Sequence, residues 1–173
     1  YAHIKNANAA SLKGVNKIEL ADSYKGFKIQ YPLDKFPIYG SVKGEPLYHE
    51  DFTTNNNFQA WCTNYNQATP NAGSETTSKK AASDLQFHVL LNGYPLKSPS
   101  ELGVDSKLEA IGATQIAVWV ASGDFNENEV DFSYVHGTGD QVTSQAARNR
   151  VKAAVHKILS EARKDKRGQA EPE

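Results

Sequence analysis

The first third of the chain alternates apolar and polar positions over short stretches. The remainder carries helical spacing. Lys17 to Leu20 and Phe27 to Tyr31 alternate, with Gly26 and Pro32 as punctuation, and Ile38 to Val42 and Pro46 to Tyr48 continue the pattern. Short segments spaced by Gly and Pro, and rich in Tyr, Phe and Ile, predict antiparallel sheet rather than a βαβ repeat. Phe52 to Asn57 reads as a polar loop. Phe58 to Thr63 reads as a strand with Phe58, Ala60 and Cys62 on one face and Gln59, Trp61 and Thr63 on the other. Cys62 then ends a strand and points toward the core. Asn64 to Thr77 is polar, with Pro70 and Gly73, and reads as a long exposed loop, a type that is often functional.

Three helices are predicted behind this sheet. One runs from about Ser78 to Leu91 with Leu85, Val89 and Leu90 or Leu91 on its apolar side. Asn92-Gly93 ends it and Pro95 prevents its continuation. Leu96 to Val104 is read as a connector. Ser106-Lys107-Leu108-Glu109 fits a capping box, so a central helix starts near Lys107 and stops at Gly123. Gly112 inside it costs about 1 kcal/mol against Ala, and close approach of another backbone is the usual reason to keep such a residue. Val130, Phe132 and Tyr134 alternate as a short strand. The last helix spans about Thr143 to Lys164, with Ala147, Val151, Ala154, Val155, Ile158 and Ala162 as its stripe. Residues 1–15 read as a loose lead-in and 168–173 as a tail or the start of a linker, leaving 1–167 as one domain.

The central helix holds one anomaly. On a 3.6-residue period Leu108, Ile111, Gln115, Val118 and Trp119 share a face, so Gln115 lies in the middle of an apolar stripe. A buried carboxamide must find partners or cost roughly 1–3 kcal/mol. The chain's single cysteine, Cys62, is also expected to face inward.

Composition narrows the classes. The 173 residues suffice for one domain with a substantial core, and 39% apolar with 23% charged content is that of an ordinary globular chain. A net charge of −1 with mixed signs leaves no electrostatic footprint for nucleic acid or an anionic membrane. No apolar run reaches membrane-spanning length. With no methionine and Tyr1 first, the chain is expected to be a fragment or a processed product. One cysteine excludes an internal disulfide and a Cys-rich zinc site.

Taken alone, Cys62 reads most simply as a small core residue. A Cys/His hydrolase needs an imidazole within reach of the thiol, and His3, His49, His88, His136 and His156 are available. None lies in a nucleophile signature. The scattered histidines give no HxH or HxxxH pair, so no metal is expected. Gly137-Thr138-Gly139 lacks the Lys and the helix pattern of a phosphate loop, and no cofactor is expected.

Three segments together resemble the TQxA-type thioester domains of Gram-positive surface adhesins. They are Trp61-Cys62 with the polar loop carrying Pro70 and Gly73, the helix end Asn92-Gly93-Tyr94-Pro95, and Ala113-Thr114-Gln115-Ile116-Ala117-Val118-Trp119. The resemblance spans about residues 24–160. It implies an intramolecular thioester between Cys62 and Gln115, and an α+β fold in which an antiparallel sheet lobe packs against a helical lobe with that bond between them. No general base carries over. Trp61, Tyr94 and Thr114 are candidate supporting residues, the last two as hydrogen-bond donors.

The function implied is covalent adhesion at the outer surface of a Gram-positive bacterium, anchored to the cell wall through other parts of the protein. A lysine amine of a host surface or matrix protein would attack the thioester. The expected module is monomeric, single-use rather than a turnover enzyme, and contacts neither nucleic acid nor the membrane interior. The rivals are a non-covalent adhesin module with a free Cys62 and a Cys-dependent hydrolase or transferase.

Overall fold

A computed structural model describes residues 17–18, 27–30, 37–49, 51–54, 59–63, 65–66, 75–76, 84–133, 137 and 139–169. The expectations for residues 1–15, for the start of the first helix at Ser78, and for Tyr134 lie outside them.

The helical layer is built on α3 (Lys107–Ala121), which is buried on every side from Glu109 to Trp119. Ser106 caps it by accepting from the Glu109 backbone N–H at 3.2 Å. Gly123, at φ +83°, lets the chain turn away just beyond its end. Two further helices, α1 (Asp84–Asn92) and α4 (Gln145–Lys164), pack against it. All six predicted stripe residues of α4 are buried. The connector prediction between Leu96 and Val104 is corrected: Pro99–Leu102 forms a short helix, α2. Ser98 and Glu101 make a reciprocal capping box there, a signature legible in Ser98-Pro99-Ser100-Glu101.

The strands are shorter than the alternation suggests. Lys17–Ile18 (β1) is followed by Phe27–Gln30 (β2), Ser41–Val42 (β3), Glu45–Pro46 (β4), Phe52–Thr54 (β5), Gln59–Ala60 (β6) and Glu75–Thr76 (β7). Val130–Asp131 (β8) and Gly168–Gln169 (β9) complete the set. A four-stranded antiparallel sheet has the order β6-β5-β2-β7, and a three-stranded one the order β4-β3-β8. The fold is therefore α+β with antiparallel sheets, as expected, save that β1 and β9 pair in parallel.

Two loop expectations change. Phe52, read as the start of a polar loop, sits in β5 and is buried, because its aromatic ring outweighs the polar residues after it. The exposed loop expected from Asn64 to Thr77 contains β7. Gly168–Gln169, read as tail, pairs with β1. Just before it, Asp165 accepts from Asn92 Nδ2 at 2.9 Å and from Arg167 Nη2 at 2.6 Å. Burial alone would raise the Asp165 pKa, but these donors hold it far below the ordinary carboxylate range.

Candidate functional site

Cys62 lies two residues beyond the end of β6, the edge strand of the four-stranded sheet, and Gln115 lies midway along α3. The fold brings them together. The Gln115 Oε1 accepts from the Cys62 backbone N–H at 3.0 Å, and Gln115 Nε2 donates to the Cys62 carbonyl at 2.8 Å. The carboxamide thus imitates the edge of a neighbouring strand. Gln115 is fully buried and Cys62 is half-buried. The side chain flagged by its place in an apolar stripe has both of its polar atoms satisfied, and by the backbone of the one cysteine.

The predicted two-faced strand at 58–63 is corrected. Gln59, Ala60 and Trp61 are all buried, because both sides of this edge are covered, and alternation does not separate core from solvent. Trp61 stands at 2% exposure as a core residue. Gln59 is kept in the interior by Asp51, which directly precedes β5. Gln59 Nε2 donates to Asp51 Oδ1 at 2.6 Å and to the Phe52 carbonyl at 3.0 Å. The other Asp51 oxygen faces Lys107 Nζ, at the first residue of α3, at 3.4 Å.

Thr114 and Tyr94 meet through the Thr114 hydroxyl and the Tyr94 backbone. The Thr114 hydroxyl donates to the Ala110 carbonyl at 2.9 Å and accepts from the Tyr94 backbone N–H at 3.0 Å. Its proton is therefore engaged within α3. Gly93 makes this approach possible: a Cβ there would stand 2.6 Å from Thr114 Cγ2. Gly112 has a related reason, with a correction. What approaches it is the Tyr39 ring, 2.7 Å from where its Cβ would be, rather than a backbone.

Tyr65 lies against the C-terminal end of α3 and the residues that follow it. The Tyr65 backbone N–H donates to Asp124 Oδ2 at 3.2 Å, and the Tyr65 ring packs edge-on against Trp119 and Phe125. Trp119 is one turn beyond Gln115, so this aromatic group borders the site. Sequence reading did not single out Asp51, Gln59, Tyr65 or Asp124. None belongs to a spaced motif, and the donor at Cys62 is a backbone group with no sequence signal at all.

The described histidines have other roles. His88 Nε2 bonds the Arg167 carbonyl at 2.7 Å, and His156 Nδ1 lies 3.0 Å from Glu127 Oε1. His49 is buried and stacks on Tyr39. Burial pushes its pKa down to about 4, against the opposing pull of the Leu47 backbone. His3 and His136 lie outside the described residues. Among the described residues no group of His, Cys, Asp or Glu converges as a metal site, and no helix is long and apolar enough to cross a membrane. A cleft of about 770 Å³ between α4 and the 127–132 segment includes Glu127, Lys152 and His156 but neither Cys62 nor Gln115.

A cysteine just past a sheet edge, paired with a buried helical glutamine, is the juxtaposition that the resemblance in the sequence implies. The family model for the thioester domain matches residues 59–164, and the chain belongs to that family. Its structure is similar to the thioester domain of the Enterococcus faecium TIE86 protein, with a TM-score of 0.69 and 25% identity over 81% of this chain and 50% of that one. It is also similar to the Bacillus anthracis TIE protein, with a TM-score of 0.61 and 27% identity over 81% of this chain and 24% of that one. The chain thus spans half or less of the length of these relatives. A search of curated proteins finds no match.

Proposed function

We propose that this chain is a covalent adhesion domain of a Gram-positive surface protein, armed by a Cys62–Gln115 thioester. The observation that carries the reading is the paired hydrogen bonding of the Gln115 carboxamide with the Cys62 backbone at 3.0 and 2.8 Å. Primary amides are poor electrophiles, so the protein must supply proximity and stabilise developing charge. In the proposed step Cys62 Sγ attacks Gln115 Cδ. Negative charge collects on Oε1, where the Cys62 N–H already donates. The C–N bond breaks, the thiol proton ends on the departing nitrogen, and ammonia leaves a thioester behind.

The stored bond then reacts with a lysine amine of a host surface or matrix protein. The amine nitrogen attacks Cδ, the same N–H faces the oxyanion, and Sγ departs with a proton from the amine. The product is an amide to Gln115 and a free Cys62 thiol. Burial of Gln115 shields the carbonyl from water until a partner docks. Each domain reacts once, so this is not turnover catalysis. The family membership and the resemblance to domains of Gram-positive adhesins support this setting.

Intact mass tests the reading. The protein as purified should be lighter than its sequence mass by one ammonia, Cys62→Ala should have full mass, and methylamine should add at Gln115 only. Full mass with an alkylatable Cys62, and Gln115 still an amide, overturns the reading and leaves the non-covalent module.

A further inference from the structure

The thioester reading requires sulfur and carbonyl carbon to meet across two elements, and one of the ties that holds them there is the leaving group itself. The Gln115 Nε2 bond to the Cys62 carbonyl disappears with the ammonia. A second tie uses no reacting atom. We propose that Asp51 is a positioning residue for thioester formation, holding the strand that delivers Cys62 in register with the helix that presents Gln115.

Asp51 is 1% exposed. A carboxylate so placed is costly unless it is paired, and an apolar residue could fill the same space without that penalty. Its two oxygens go to different elements. Oδ1 accepts from Gln59 Nε2 at 2.6 Å, on β6, three positions before Cys62. Oδ2 faces Lys107 Nζ at 3.4 Å, at the first residue of α3. Lys107 precedes Gln115 by about 12 Å of helix rise. The two ties therefore hold β6 against α3 at two separated levels, which fixes sliding along the helix as well as distance. Backbone pairing of Thr53 with Gln59 and of Phe52 with Ala60 makes the Asp51 end rigid. A reaction of a poor electrophile is sensitive to such placement, since a misfit of about 1 Å costs on the order of a hundredfold in rate.

The inference rests on the thioester reading, and one experiment separates the two. Wild type, Asp51→Ala, Asp51→Asn and Lys107→Gln are purified in parallel and their intact and peptide masses taken. A Glu at position 115 reports a bond formed and then hydrolysed; a Gln reports one never formed. Arg150→Ala, which removes the Arg150–Glu109 pair between α4 and α3 and leaves β6 untouched, controls for general destabilisation. Near-UV circular dichroism establishes that each variant is folded at the temperature of measurement.

The expected result is a fall of about tenfold or more in the ratio of formed to never-formed bond in Asp51→Ala. Asp51→Asn, which still accepts from Gln59, falls less, and Arg150→Ala stays at the wild-type ratio. If Asp51→Ala does not fold, Lys107→Gln carries the test, because it removes only the helix side of the tie from a half-exposed position. It should then lower the ratio, at some cost to the unfolding midpoint because the buried Asp51 carboxylate loses its cation, while near-UV circular dichroism shows the variant folded. A wild-type ratio in the folded Asp51 variants, or in Lys107→Gln when it stands alone, overturns the positioning role and leaves the thioester reading intact. Absence of any bond in the wild type overturns both.

Discussion

The side chain of Gln115 is paired with the main chain of Cys62 in the manner of two strands, accepting at 3.0 Å and donating at 2.8 Å. Both contacts use backbone atoms of residue 62. Cys62→Ala therefore keeps them, and forms a background in which no thioester can arise. Within that background, Gln115→Ala leaves the residue-62 N–H and C=O without these partners. The expected cost is roughly 1–3 kcal/mol for each group. Gln115→Glu faces a carboxylate oxygen with a carbonyl and is expected to be destabilised too. Urea unfolding of the single and double variants measures the difference. Equal stability of Cys62→Ala and Cys62→Ala/Gln115→Ala would mean that the pairing contributes nothing.

Much of this site is legible in the sequence, for definite reasons. Gln115 stands out because a helix imposes a period and the glutamine interrupts an apolar face. Cys62 stands out because it is alone. The helices α3 and α4 are long enough for caps and stripes to fix their positions. The strands are two to four residues each, too short for alternation to mark them reliably, and Phe52 reads as loop for that reason. Asp51 and Gln59 were not legible. A buried acid and a buried amide look like surface residues until the fold places one against the other.

Gly112 gives a second test. A Cβ there would fall 2.7 and 2.9 Å from two carbons of the buried Tyr39 ring and 3.3 Å from the His49 ring. Helix propensity favours alanine by about 1 kcal/mol, whereas overpacking of a well-filled core costs roughly 1–3 kcal/mol. Contacts this close from rings on another segment put the balance on the side of destabilisation. Gly112→Ala should lower the unfolding midpoint, and Tyr39→Ala should remove most of that increment when the two are combined. A raised midpoint in the single variant would show that the ring moves freely.

His49 makes stability depend on acidity. Its pKa falls from the ordinary 6.5 to about 4 on folding, chiefly through burial. Between those values the unfolded chain binds the proton and the folded one does not, so unfolding takes up a proton and stability rises with pH. The contribution is complete above the ordinary histidine value and is lost as pH falls toward 4, amounting to a few kcal/mol at most. His49→Phe keeps an aromatic ring against Tyr39 but cannot titrate. Denaturant titrations across this range should show a shallower slope for the variant than for the wild type. Parallel slopes would assign the acid sensitivity to carboxylates alone.

Thr114 separates a structural part from a chemical one. It adjoins Gln115 in sequence and offers a hydroxyl, which made it a candidate donor to the developing oxyanion. In the structure that hydroxyl bonds Ala110 and Tyr94 instead, tying the turn after α1 to the middle of α3. Thr114→Val preserves shape and leaves the Tyr94 N–H without its acceptor, an expected loss of roughly 1–3 kcal/mol. Thr114→Ser keeps the hydroxyl and removes the methyl that fills the space beside Gly93, at about 1 kcal/mol. If the hydroxyl serves packing, both folded variants still lose ammonia to the wild-type extent, and only their unfolding midpoints differ. Normal stability with no ammonia loss in Thr114→Val would instead return the hydroxyl to the reaction, and would require the side chain to leave Ala110 when the thiol attacks.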